Sequence, residues 1–246
     1  MAERAPFSVQ TIPGFAAIAI FTFVAIYTPL VILVAFSFNA GDSLAIWEGF
    51  SLKWYYRAAA NEQVQSAAIR SLYLAGISAS VATVAATMAA LATTRTRHFP
   101  GKTMVFAWVK VATGHTSMIY LIAAHTAFCI PFAYLPIRAR LETMDDTLEK
   151  AAADLYAGRW QVFRRITLPM MMPGIIAGLM LAFVISMDDV VITEFVKSAG
   201  QDTLPTYMLG QLRRVVTPEI NAISTVVVFA GAFLVTIFFW VSSNRR

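Results

Sequence analysis

Four runs of predominantly apolar residues dominate this chain: Gly14 to Phe38, Ala67 to Ala92, Gly174 to Val196 and Ala222 to Val241. Each is about as long as the roughly 20 residues that carry a helix across ~30 Å of hydrocarbon. In hydrocarbon every backbone N–H and C=O must be satisfied within the segment itself, so such runs fold as helices. Composition agrees. Of the 246 residues 58% are apolar and only 13% are charged, about half the charged share of an ordinary soluble domain. These values exclude a soluble globular fold and a disordered chain. The single cysteine, Cys129, excludes a disulfide scaffold. The first run is too long for a signal peptide and no small-x-small cleavage site follows promptly, so it reads as an uncleaved span. Pro29 inside it is tolerated in a membrane helix.

The segment Thr103 to Pro136 is the ambiguous one. It carries Lys110, Gly114, His115, His125 and Pro131, and it is shorter than the about 40 residues plus a turn that two full crossings need. Basic residues decide the reading. Arg95, Arg97 and Lys102 follow the second run; Arg138, Arg140, Lys150, Arg159, Arg164 and Arg165 follow the middle segment; Arg245 and Arg246 follow the last run. Clustered in short loops and tails, they place all three regions on the cytoplasmic side, and both termini with them. The middle segment then enters and returns as a shortened or re-entrant hairpin. The alternative, a single crossing, puts one basic cluster outside. The loops 39–66 and 197–219 fall outside. The chain reads as one all-α integral membrane domain, 1–246, with five to six spans and a cytoplasmic loop over 138–169.

That loop holds the most informative segment, LEKAAADLYAGRWQVFRRITLP, from Leu148 to Pro169. Leu148, Ala151, Ala152, Leu155, Trp160 and Phe163 fall on faces that short amphipathic helices bury. Gly158 is the expected bend between two such helices, because glycine enters left-handed conformations freely. Leu168-Pro169 is expected to end the element before Pro173 starts the next span. From these residues alone the segment is equally an interfacial helix pair on anionic lipid and a docking knob for a soluble partner.

The segment resembles the cytoplasmic loop of binding-protein-dependent ABC importer permeases, whose pattern is E-A-A, a glycine a few residues on, then I-x-L-P. Ala151, Ala152, Asp154, Leu155, Trp160, Phe163, Ile166, Leu168 and Pro169 carry the match. Two positions depart. Lys150 stands directly before the two alanines, with Glu149 one residue earlier, and the family's glycine aligns with Tyr156, which implies a later turn at Gly158. FSLKWYY (Phe50 to Tyr56), SLYLA (Ser71 to Ala75), AALATTR (Ala89 to Arg95) and AHTAFCIPF (Ala124 to Phe132) resemble the first half of the same family. PGIIAGLMLAFVISMDDVVITEFV (Pro173 to Val196), Leu204-Pro205 and VTPEINA (Val216 to Ala222) resemble its spermidine/putrescine branch.

The resemblance implies a type I ABC importer permease bundle in the bacterial cytoplasmic (inner) membrane, moving polyamine-like cationic solutes inward. It implies a second permease subunit in a heterodimeric pore, an ATP-binding subunit dimer on the inside, and an extracytoplasmic solute-binding protein, with membrane lipid around the bundle. ATP belongs to the partner, so this chain is expected to carry no cofactor and no catalytic residue. Glu149, Ala151, Ala152, Asp154, Leu155, Gly158, Ile166, Leu168 and Pro169 are the expected ATPase-coupling loop. Members of the family have six spans, and this chain is about one helix (~20 residues) shorter in the middle. The alternative is therefore a degenerate, non-transporting permease that acts as an assembly or docking partner.

Asp188 and Asp189 interrupt an otherwise apolar run, and Glu194 lies near its far end. A charged carboxylate in hydrocarbon costs at least ~2.5–3.5 kcal/mol unless it is paired or wet, and intramembrane acids mark ion or substrate pathways by default. Consecutive helical residues point about 100° apart, so the two aspartates need not face one cavity. They read either as acids that make a pore attractive to a cation or as structural groups that pair with a neighbour or cap a broken helix. Other signals stay at background. Gly101-Lys102-Thr103 lacks the first glycine of a P-loop. His98, His115, His125 and Cys129 have no metal-ligand spacing, and His125 reads as a packing or hydrogen-bonding residue. The small residues from Ala75 to Ala92 read as a tightly packed helix–helix face. The net charge of +5 reports orientation, not nucleic acid.

Overall fold

The structure is a computed structural model, and it describes residues 15–44, 46–95, 118–214 and 217–243. Gly14, Thr96 to Ser117, Val216, Arg245 and Arg246 lie outside the described residues, and with them the readings made on Arg97, His98, Lys102, Lys110, Gly114 and His115. The described residues are helical, apart from loops and one isolated bridge between Asn39 and Phe50. In chain order the helices are α1 Phe15–Phe36, α2 Lys53–Ala60, α3 Glu62–Arg95, α4 Met118–Glu142, α5 Thr147–Asp154, α6 Arg159–Val162, α7 Leu168–Asp188, α8 Val191–Val196, α9 Leu204–Arg214 and α10 Pro218–Ser243. A π-helical turn, Phe163–Thr167, joins α6 to α7.

The chain divides into two compact units. The first contains α1, α2, the loop between them and α10 as far as Val235. α1 is apolar on every side and none of it is buried within the chain, as expected of a helix whose solvent is lipid. Its two threonine hydroxyls, at Thr22 and Thr28, bond back to the carbonyls of Ile18 and Val24, which satisfies them without water. Just after α1, Asn39 organises the loop. Its side-chain N–H groups donate to the carbonyls of Ser43 and Ile46. Its Oδ1 accepts from the N–H groups of Gly41 and Glu48, and its own carbonyl accepts from Trp54 Nε1 at 3.0 Å. At the end of α2, Asn61 Nδ2 donates to Glu219 Oε1 of α10 at 3.0 Å.

The second unit holds α3, α4 and α7, packed around a shared core. Ala79, Ala82, Ala86 and Ala90 of α3 meet Cys129, Ala133, Ile137 and Leu141 of α4 and Met171 and Ala182 of α7. The expected small-residue face is realised, since small side chains let helix backbones approach in a membrane. The approach is closest on α7. A Cβ on Gly178 would lie 2.7 Å from the Ala133 carbonyl oxygen, and one on Gly174 would lie 2.6 Å from Arg140 Cβ.

Helix limits differ from the hydropathy runs in physically legible ways. The described part of the middle segment lies in one 25-residue helix, α4, which is apolar and long enough to cross a membrane by itself. It extends through Pro131 and Pro136 and takes Arg138 and Arg140 into its last turns, where Arg138 pairs with Glu142 at 2.7 Å. These residues, read as loop from their charge, are helix. Leu168-Pro169 does not end an element either. α6, the π turn and α7 form one 30-residue stretch. The wider π turn directly before Pro169 gives its ring and missing N–H room without stopping the helix. The run Gly174 to Val196 is broken instead at its other end, between α7 and α8.

Candidate functional site

The break between α7 and α8 contains the intramembrane acids. Asp188 is the last residue of α7; Asp189 leaves the helix with extended backbone (φ −70°, ψ 124°), and α8 begins at Val191. The Asp189 side chain is only 7% exposed. Its Oδ2 accepts from the Thr193 N–H at 3.0 Å and its Oδ1 from the Ile192 N–H at 3.4 Å. A side-chain oxygen of this kind caps the orphan N–H groups of a starting helix. His125 of α4 is fully buried beside it. The His125 Nδ1 lies 2.9 Å from Ser186 Oγ, and Nε2 lies 2.9 Å from Thr193 Oγ1 and 3.6 Å from Asp189 Oδ2. Asp188, one residue away, is exposed and has no hydrogen-bond or ion-pair partner among the described residues. The two aspartates therefore point to different environments.

Glu194 stands apart from both. It pairs with Lys197 at 2.6 Å, and Lys197 also holds Asp202 at 2.7 Å. Burial works against the Lys197 charge, but the hydrogen bonds to Asp202 and Glu194 outweigh it and hold the ammonium above its ordinary range. The Asp202 carbonyl accepts from Arg70 Nη1 at 2.9 Å and the Leu204 N–H donates to Ser71 Oγ at 2.7 Å, which ties this loop to α3. Ser186 and Thr193 escaped the sequence reading. Their signal is the spacing of polar residues around Asp189, three before and four after, in a run otherwise apolar.

The second candidate region is the loop after α4. Asp145 accepts from the hydroxyl and N–H of Thr147, and those bonds hold its carboxyl below the usual range. Lys150 pairs with Asp146 at 2.7 Å, which holds its ammonium above the usual range. Glu149 reaches across the loop, and its Oε1 accepts from the buried Thr167 hydroxyl at 2.6 Å. The bend lies at Tyr156, not Gly158. Tyr156 has φ +58°, whereas Gly158 has extended backbone (φ −63°, ψ 145°) and precedes α6. The Tyr156 N–H donates to the Ala153 carbonyl and the Ala157 N–H to the Ala152 carbonyl. This pair of bonds is a Schellman closure, which requires a left-handed residue at that position. The later turn expected from the missing glycine is thus corrected: the tyrosine adopts the conformation a glycine would supply.

The apolar face of the loop is not buried by this chain. α5 has no buried residue. Leu155 is 82% and Tyr156 97% exposed, and Leu148 and Trp160 are exposed as well. Trp160 stacks at a tilt on Phe163, 5.6 Å between centroids. Ala151, Asp154, Gly158 and Pro169 are exposed, while Ala152, Ile166 and Leu168 are half-buried. The faces expected to be buried are presented outward on a scaffold fixed by the Glu149–Thr167 bond.

Residues 7–244 match the family of binding-protein-dependent transport system inner membrane components. The chain is 35% identical over 235 residues to the putrescine transport system permease protein PotI of Escherichia coli (strain K12), covering 85% of this chain and 83% of that protein. It is 33% identical over 234 residues to the spermidine/putrescine transport system permease protein PotC of Haemophilus influenzae (strain ATCC 51907 / DSM 11121 / KW20 / Rd), covering 86% and 90%. Its fold is similar to a chain in a crystal structure of a bacterial ABC transporter involved in the import of the acidic polysaccharide alginate, with a TM-score of 0.66 at 13% identity over 98% of this chain and 99% of that one. Four apolar helices long enough to cross a membrane, a fixed and outward-facing loop, and a family match over almost the whole length lead to one conclusion: this chain belongs to the binding-protein-dependent transport system inner membrane components, as a permease subunit.

Proposed function

We propose that this permease forms half of the pore of an ABC importer for polyamine-like cations, and that Asp188 lines the route. The observation that carries the reading is the exposed Asp188 carboxylate at the end of a membrane-spanning helix, without a partner among the described residues. Such a charge is tolerated in a membrane where water, a cation or a paired group meets it, and intramembrane acids mark a solute pathway by default. The 35% and 33% identities to permeases named for putrescine and spermidine/putrescine transport support a cationic solute. In this reading the whole chain works as one permease domain in the bacterial inner membrane with both termini cytoplasmic. A second permease completes the pore, a solute-binding protein delivers the cation from outside, and an ATPase dimer docks on the exposed Leu155, Tyr156 and Trp160. ATP-driven closure moves that loop and re-aims the end of α7 from one side of the membrane to the other. Asp189 and Glu194 contribute negative potential near the route, with Asp189 committed to its cap and Glu194 to Lys197.

The non-transporting alternative is not favoured: residues 7–244 match the permease family and the relatives at 35% and 33% identity are transport permeases, and Tyr156 makes the turn the missing glycine would make. The test is uptake of labelled putrescine into proteoliposomes that hold this chain, its partner permease, the ATPase and the binding protein. ATP-dependent uptake is expected, with a maximal rate in Asp188→Asn lower by about tenfold, the scale of one lost charge interaction. Uptake and selectivity unchanged by Asp188→Asn would remove the assignment.

A further inference from the structure

The break between α7 and α8 has no local cause in the backbone. Ser186 to Thr193 reads SMDDVVIT, without a glycine or proline, the residues that ordinarily interrupt a helix. Isoleucine and valine beside the break are tolerated in membrane helices, so the stretch would also accept one continuous helix. Besides the local cap from Asp189, the break is held from another element. His125, on α4, places one ring nitrogen on each side: Nδ1 on Ser186 in the last turn of α7, Nε2 on Thr193 in α8. A turn further along α4, Cys129 Sγ donates to the Ala182 carbonyl at 3.4 Å, so the same helix face is fastened to α7 twice.

With the proton on Nε2 every group in the cluster is satisfied. The Ser186 hydroxyl donates to Nδ1, and the Nε2–H donates to Thr193 Oγ1. The Thr193 hydroxyl in turn donates to Asp189, whose carbonyl and Oδ2 both lie 3.3 Å away. The chain of donors runs in one direction and ends on the carboxylate, which also takes the Thr193 N–H. A buried network with all members satisfied specifies one arrangement; removing one member leaves its neighbours unpaired in a medium without water.

We propose that His125 is a positioning residue for solute passage: by bridging the break it commits Asp189 to capping α8 and leaves Asp188 as the exposed acid. The role for the solute rests on the reading of Asp188 proposed above; the fixing of the break stands without it. Without the bridge the cap on α8 opens more often, so the Ile192 and Thr193 N–H groups spend time unbonded while the segment moves between the capped break and a helix continued through Asp189 and Val190. Each added helical residue turns the side chains by about 100°, so the two acids would lose their separate orientations.

The test uses the assembled transporter in lipid nanodiscs, with hydrogen exchange read on the segment 186–196 and solute imported per ATP read in proteoliposomes. His125→Ala and the nearly isosteric Thr193→Val are expected to speed exchange at Ile192 and Thr193 by about tenfold, the scale of one lost buried hydrogen bond. Import per ATP is expected to fall in the same variants. His125→Gln, which keeps one donor and one acceptor, is expected to recover most of the protection and the import. Unchanged exchange in both His125→Ala and Thr193→Val overturns the proposal. So does a His125→Gln no better than His125→Ala, which would reduce the ring to volume. Should His125→Ala fail to accumulate, Thr193→Val carries the test with the same two results. Unchanged uptake in Asp188→Asn, combined with lost protection in the His125 variants, removes the solute reading and leaves the positioning intact.

Discussion

The Thr167 hydroxyl, buried at the end of the π turn, donates to Glu149 Oε1 at 2.6 Å, and this bond joins the first helix of the loop to the root of α7. A hydrogen bond to a charged acceptor contributes about 1.5–3 kcal/mol. Glu149→Ala is therefore expected to open the loop to trypsin at Lys150 and Arg159 roughly tenfold faster, while Glu149→Gln, which keeps an acceptor, stays near the native rate. Equal rates in the three proteins would show that the bond does not hold the loop.

Tyr156 pays a steric cost for its left-handed backbone, on the order of 1 kcal/mol. Tyr156→Gly is expected to make the loop more resistant to trypsin and to raise the denaturation midpoint slightly. Tyr156→Ala, which keeps a Cβ, is expected to show no such gain. Because the ring is 97% exposed, no packing within this chain is lost in either variant. A Tyr156→Gly protein less protected than Tyr156→Ala would contradict the Schellman reading.

Gly178 faces the Ala133 carbonyl across the α4–α7 contact, and a Cβ there would sit at 2.7 Å. Backbone cannot yield as a flexible side chain does, so Gly178→Ala is expected to destabilise by about 1–3 kcal/mol, the range for overpacking. Gly210, with nothing within 4 Å of its would-be Cβ, serves as the control, and Gly210→Ala is expected to leave the melting temperature in detergent unchanged or raise it. Equal melting temperatures for the two variants would rule out the close approach.

Lys197 holds Glu194 and Asp202 together, and its ammonium is kept above its ordinary range. A cation with a raised pKa contributes stability that is whole below the unfolded value of about 10.4 and is lost as pH climbs through the folded one. The loop 197–204 is accordingly expected to show pH-independent protease resistance from about pH 6 to 9. Lys197→Met is expected to lower that resistance across the whole window. A native loop that loosens between neutral and mildly alkaline pH would count against the cluster.

Hydropathy placed the spans of α1, α3 and α7 because the cost of exposing a backbone to hydrocarbon is a local property of about twenty residues in a row. The small-residue face of α3 was legible for a related reason, since close helix approach in a membrane is limited by side-chain size at fixed spacing. The family was legible in Ala151 to Pro169 and Pro173 to Ala222, where residue identities are spaced as in the permeases the chain matches. Helix ends were not. Charge marked Arg138 and Arg140 as loop, yet a helix end follows hydrogen bonding and packing, and α4 runs on to Glu142. Nor could the bend at Tyr156 be read from composition, because the closing bonds of a helix set the left-handed residue by position, whatever its type. The separation of Asp188 from Asp189 was only partly legible: the run itself offered a capping acid, whereas the bonds of His125 to both sides of the break reach 61 residues on to Ser186 and 68 to Thr193, and a contact over that distance is made by packing helices together.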